Sequence, residues 1–151
     1  MGVPLSEEEI RNFLSSSKQN CRLATVDNES GDPNIHPVWF YYEHQDNKIY
    51  INTDNDSKKA DNIRKRSNTV YFCIDDEVMP VKGVKGKGRA KILETPHDNL
   101  PIVEKIMTKY FGSADHPRAR QILDTVKDGK SVLLEITPLH FTTWDFGRRV
   151  G

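Results

Sequence analysis

The residues best suited to chemistry run Thr53-Asp54-Asn55-Asp56-Ser57-Lys58-Lys59. They fall where an extended apolar stretch stops and a short helical pattern begins. Unpaired backbone N–H groups and the helix dipole make such a junction favourable for a phosphate. The Ser57 hydroxyl and the ammonium groups of Lys58 and Lys59 supply the further donors that a phosphate takes. Spacing alone also admits a plainer reading, in which Ser57 caps the helix and both lysines face water. Asp54 and Asp56 oppose an anion unless they point away.

A second candidate is Pro37-Val38-Trp39-Phe40, which could form a flat wall for a planar ring or an interface with a second copy of the chain. Trp144, near the end, could stack on the same ring or pack in the core. The histidines at 36, 44, 97, 116 and 140 lack the H-x-x-x-H type of spacing, so no metal is assigned. No nucleophile elbow, P-loop or dinucleotide fingerprint occurs with its required flanks. The glycine-rich run from Lys82 to Gly88 reads as strand rather than as a loop opening a helix. Cys21 and Cys73 are expected as inert core thiols. The basic runs 57–66 and 82–91 lack interleaved aromatics, so nucleic acid is not expected as a partner.

These residues must be held by a particular order of elements. Ser6 and Glu9 form a capping box, with Leu5 and Ile10 at staple spacing, so a helix is expected from residue 6 to about 18. Strands are expected over 21–26, 35–42 and 48–52, a short helix over 57–66, and strands over 69–75 and 81–93. The 35–42 stretch is apolar on both parities, so its second face needs cover from a helix, a partner chain or a ligand. In 81–93, Val84, Gly86, Gly88, Ala90 and Ile92 lie on one face and Lys85, Lys87, Arg89 and Lys91 on the other. Two helices follow. Asn99 or Thr95 could cap the first, and Pro101 fits only its first turn. Strands over 131–136 and 140–146 then close the chain as a hairpin-like pair. Without βαβ alternation, the class is α+β: a mostly antiparallel, six- or seven-stranded barrel with peripheral helices.

Composition bounds the rest. The chain has 151 residues, one domain's worth, and 22 Lys+Arg balance 22 Asp+Glu. A globally basic nucleic-acid protein and an acidic tail protein are thereby excluded. No apolar run approaches a membrane span, and the first residues lack a signal peptide's basic and apolar regions. A single soluble cytoplasmic domain covering 1–151 is expected.

The order of elements, with IHPVWFYY, YINTDNDSKKADNI and VKGKGRAKIL in sequence, resembles the pyridoxamine 5'-phosphate oxidase-like FMN-binding split barrels. This superfamily holds flavin- and deazaflavin-dependent reductases. The likeness covers about residues 6–146, and its most specific part is T-x-x-x-S-[RK]-K, here Thr53, Ser57, Lys58 and Lys59. It implies a homodimer with the cofactor in a cleft between subunits. Ser57, Lys58 and Lys59 would then hold the cofactor phosphate. Val38, Trp39, Asn52 and Thr53 would line the ring, and Trp144 would close the pocket. Pyridoxamine phosphate oxidases carry an arginine where this chain has His36. They also read Q-V-R-V-x-G where it reads G-V-K-G-K-G, with Lys85 at the arginine position. Pyridoxal-phosphate synthesis is therefore not expected. The cofactor implied is FMN or deazaflavin (coenzyme F420), the latter's acidic tail being suited to the lysines of 85–91. The expected activity is hydride transfer to or from a small planar substrate, with no catalytic acid or base assigned, because the cofactor carries the hydride. The alternative is a non-catalytic flavin or haem binder of the same fold.

Overall fold

In the computed structural model, which describes residues 2–148, the elements are α1 (Glu7–Ser16), β1 (Cys21–Val26), β2 (Pro33–Val38), β3 (Tyr41–Glu43), β4 (Lys48–Asp54), α2 (Lys58–Lys65), β5 (Thr69–Asp75), β6 (Lys82–Leu93), α3 (Pro96–Phe111), α4 (Pro117–Lys127) and β7 (Ser131–Asp145). All seven strands join one antiparallel sheet in the order β2-β1-β5-β6-β7-β4-β3. Its two edges, β2 and β3, are consecutive in the chain and separated only by Trp39 and Phe40. So short a link between opposite edges requires the sheet to curl until they meet, which makes the split barrel.

The expected strand 35–42 is thus two strands, broken where the chain passes from one edge to the other. Phe40 turns inward and is fully buried, whereas Trp39 faces outward. Alternating residues of every strand fill the interior: Leu23, Val70, Phe72, Ile74, Val84, Ile49, Ile51, Leu134 and Ile136, joined by Phe13 and Leu14 of α1. Each such side chain contributes roughly 1.5–3 kcal/mol through burial. The capping box that starts α1 is present, with Ser6 N–H donating to Glu9 at 3.0 Å and Glu9 N–H to Ser6 at 3.2 Å.

A second apolar layer lies outside the barrel. Tyr50 of β4 and Leu133 of β7 point outward beneath Val103, Ile106, Met107, Ala119, Leu123 and Val126 of α3 and α4. The outward face of β2 and β5 differs, because Ile35 and Tyr71 stand exposed there. The need for cover inferred from the two-sided apolar pattern is therefore met over β3 and β4 and left open over β2.

Three expectations change. The closing hairpin is one fifteen-residue strand, β7, paired with β6 along its length. Its register shifts where Lys87 and Gly88 face His140 and Pro138, leaving Leu139 as the extra residue of a bulge. Pro138 has no N–H to give to a ladder, and a bulge tolerates it without ending the strand. Gly86 sits beside this bulge, where a Cβ would run into the His140 carbonyl and the Phe72 ring. Next, α3 begins at Pro96, with Thr95 in the N-cap position, so Pro101 lies inside the helix rather than in its first turn. Finally, Cys21 is buried as expected, but Cys73 is only half-buried and faces outward. Among the described residues, no helix is long and apolar enough to cross a membrane.

Candidate functional site

The site is built around the end of β4 and the start of α2. Thr53 is buried, and its hydroxyl donates to Ser57 Oγ at 2.9 Å. Ser57 takes the extended N-cap conformation and accepts from Ala60 N–H at 3.3 Å. Its hydroxyl, having one hydrogen, keeps that hydrogen free to donate. The first-turn N–H groups of Lys58 and Lys59 have no intrahelical acceptor. A junction competent to receive an anion is therefore in place, and Ser57 both caps the helix and offers a donor to the site.

The two lysines part company here. Lys58 turns toward the β1–β2 loop, with Nζ 2.9 Å from Asn28 Oδ1, 3.3 Å from Asp27 and 3.9 Å from Glu29. The Asp27 carboxylate also accepts from Glu29 N–H and Ser30 N–H at 2.9 and 3.0 Å. Those backbone bonds first, then Lys58, bring its pKa down to about 2. Lys59 has no carboxylate within ion-pair distance among the described residues, and burial pulls its pKa below the usual lysine value, against the charge of Asp54.

His36 lies near Lys59 and is also half-buried. Burial first, and the Lys59 charge second, push its pKa below 6.5. Its Nε2 is 2.9 Å from Thr25 Oγ1, and Thr25 accepts from the buried Asn62 Nδ2 at 2.9 Å. With one donor and two acceptor lone pairs, the Thr25 hydroxyl can serve either tautomer of the His36 ring. Asn62 Oδ1 in turn accepts from Asn28 N–H at 2.9 Å. One buried chain of hydrogen bonds thereby fixes His36, α2 and the β1–β2 loop in mutual register.

Beside this junction lies a cavity of about 490 Å³. Val38, Trp39, Asn52 and Thr53 line one side of it, and Ile106, Met107 and Ile122 of α3 and α4 line the other. The Trp39 ring is stacked on Tyr110 with centroids 4.6 Å apart and planes 5° off parallel, and it meets the edge of Phe111 at 5.2 Å. Asp54 also lines the cavity, and Asp56 lies outside it.

Val38, Trp39, Asn52 and Thr53 are thus brought together in one cavity, with Ser57 joined to it through Thr53. Lys85 and Trp144 are not. Lys85 is exposed on β6, opposite Cys73 and Thr142. Trp144 pairs with Gly83, where a Cβ would strike its ring. It lies eleven residues beyond Leu133, the partner of Asn52, or on the order of 35 Å of strand contour. Sequence reasoning missed Ile106, Met107, Tyr110 and Ile122. The first three belong to an apolar helical stripe, which gives no sign of which members border a cavity.

The family model described as pyridoxamine 5'-phosphate oxidase matches residues 6–145. No curated protein matches the chain significantly in sequence. Among solved structures, the chain is similar to a conserved hypothetical protein of Mycobacterium tuberculosis, with 27% identity and a TM-score of 0.80 over 99% of this chain and 92% of that one. It also resembles an F420 reductase, at 20% identity and a TM-score of 0.68 over 93% and 98% of the two chains. The haem storage protein of Vibrio cholerae shares the fold at 18% identity and a TM-score of 0.67, over 91% and 94%. Sequence match and fold agree over nearly the whole length, and the chain belongs to the pyridoxamine 5'-phosphate oxidase family.

Proposed function

We propose that the protein is an oxidoreductase that uses a phosphate-bearing flavin or deazaflavin to move a hydride to or from a small planar substrate. One observation carries the reading: a cavity walled by Trp39 and the Asn52–Thr53 segment adjoins a helix N-terminus where Lys59 and His36 lie half-buried without an anion partner. Unpaired cationic and polar groups out of water are costly, and a bound phosphate relieves that cost. The donor set therefore fits the group.

When bound, the cofactor supplies the hydride chemistry. The chain's own residues bind and orient. Ser57 O–H and the first-turn N–H groups of α2 donate to the phosphate, and Lys59 neutralises it. Trp39, held by its stack on Tyr110, and Val38 form the flat wall for the ring. Ile106, Met107 and Ile122 keep water from the opposite side. Asn20, Asn52 and Thr125 offer polar atoms at the same cavity. Its only ionisable lining side chain among the described residues, Asp54, favours neutral or cationic substrates over anionic ones.

In this reading the protein works as a homodimer. The exposed Ile35 and Tyr71 support a covered outer face. Lys85 and Trp144, remote from the cavity of their own chain, would serve the site of the other subunit. The direct test is the visible spectrum of the purified protein, followed by titration with FMN and with coenzyme F420, read by tryptophan fluorescence. Micromolar or tighter binding of either is expected. Binding of neither rejects the proposal, and binding without turnover under any reductant removes the enzymatic half.

A further inference from the structure

On the other side of α3 lies a second cavity, of about 570 Å³, between α3 and β3. It shares no lining residue with the first, because Ile106 and Met107 face one way and Lys105, Thr108 and Lys109 the other. Its size falls within the ~300–1,000 Å³ of sites that hold small ligands. Tyr41, Tyr42, Pro101 and Ala114 give it apolar walls.

Lys109 is its unusual feature. The ammonium donates to the Phe40 carbonyl at 2.9 Å and sits 3.4 Å from the centre of the Phe40 ring. No carboxylate lies within ion-pair distance of it among the described residues, and burial brings its pKa down to about 8. An ammonium carries three donors, and Phe40 uses one. Lys105, nearer the rim, is already paired with Glu43 at 3.9 Å and lies over the Tyr41 ring. The cavity thus combines apolar walls with one inner cation that has no anionic partner among the described residues and whose other neighbours are the Phe40 and Tyr110 rings, while the exposed carboxylate of Glu104 lies at the rim. A buried charge of this kind is normally paired.

We infer that this cavity is a second ligand site, taking a small organic monoanion whose apolar body lies against Tyr41, Pro101 and Ala114 and whose carboxylate meets Lys109. The inference does not depend on the cofactor reading, since the two cavities are separate. Fatty and aromatic acids share this chemistry, so decanoate and 2-naphthoate serve as probes, with 1-decanol and 2-naphthylmethanol as their uncharged counterparts.

Isothermal titration of the full chain is expected to show one saturable site for at least one of the two acids. The matching alcohol should bind about tenfold or more weakly, the loss expected when a charge-assisted hydrogen bond is removed. Lys109→Gln should lose a similar factor, and Lys109→Arg should keep most of the affinity. Ala114→Trp, which fills the cavity without touching the charge, should abolish binding, and it decides the matter if the Lys109 variants do not fold. Absence of saturable binding by both acids overturns the inference. So does equal binding of acid and alcohol, or undiminished binding in Ala114→Trp.

Discussion

The two flanks of the α2 N-terminus differ in how their charges are settled. On the β1–β2 side, Lys58, Asp27, Asn28 and Glu29 form a closed set, with Asp27 further held by two backbone donors. On the other flank, Lys59 and His36 are half-buried with no carboxylate within ion-pair distance among the described residues, and both have pKa values moved in the direction that disfavours their charged forms. Adjacent residues of the same type therefore do different work. A satisfied charge stabilises a turn, whereas an unsatisfied one lowers the stability of the free protein and is kept for what it can bind.

The sharpest way to break this contrast is Lys59→Ala. Removing the cation should weaken a phosphate-bearing cofactor by about 1.5–3 kcal/mol, the scale of a hydrogen bond to a charged group. The thermal stability of the cofactor-free protein should stay the same or rise, because a half-buried unpaired charge is lost. A titration and a melting curve on one preparation give both numbers. If affinity is unchanged, or if the free protein is destabilised, Lys59 is structural and the contrast fails.

Ser57→Ala should come next, costing about 1 kcal/mol of stability through loss of the cap. The buried Thr53 hydroxyl also loses its acceptor. Unlike Lys59→Ala, this change should lower both stability and cofactor affinity, since Ser57 serves the helix and the anion together. Denaturant melts with and without FMN separate the two losses.

His36 sharpens the comparison through pH. Its pKa in the folded protein lies below the 6.5 of the free side chain. The unfolded chain therefore binds more protons just below that value, and stability is lost as pH falls through it. His36→Gln should flatten melting temperature against pH in the range just below 6.5. A bound phosphate favours the protonated ring, so adding FMN should also reduce the slope in the wild type. An unchanged slope in His36→Gln would place the titrating group elsewhere.

Much of this was readable in the sequence where the cause is local. The α1 capping box needs only Ser6 and Glu9, and the helix start at Ser57 needs only its own neighbours. The gathering of Val38, Trp39, Asn52 and Thr53 into one cavity rested on family resemblance, because no spacing rule relates residues fourteen apart in sequence. The strand break at Trp39–Phe40 was hidden, since an apolar run looks alike whether it crosses between sheet edges or continues along one. Pro138 misled in the opposite sense, looking like a strand end until β6 supplied a partner for a bulge. The division of labour between Lys58 and Lys59 depends on a loop some thirty residues earlier, and that is a tertiary fact.

Lys58→Ala is the smallest of the expected effects and the most direct control on the contrast. Its ammonium is partly exposed, and its partners Asp27 and Glu29 are held or hydrated without it, so the stability loss should stay below about 0.5 kcal/mol. Cofactor affinity should barely move, although the family motif places this residue beside Lys59 as a phosphate ligand. Added salt should shrink even that small stability difference, because the pair is screened, while the Lys59→Ala loss should persist at the more buried position. A Lys58→Ala protein that binds FMN as weakly as Lys59→Ala would mean that the side chain leaves the β1–β2 loop when phosphate arrives, and that the two flanks act as one site.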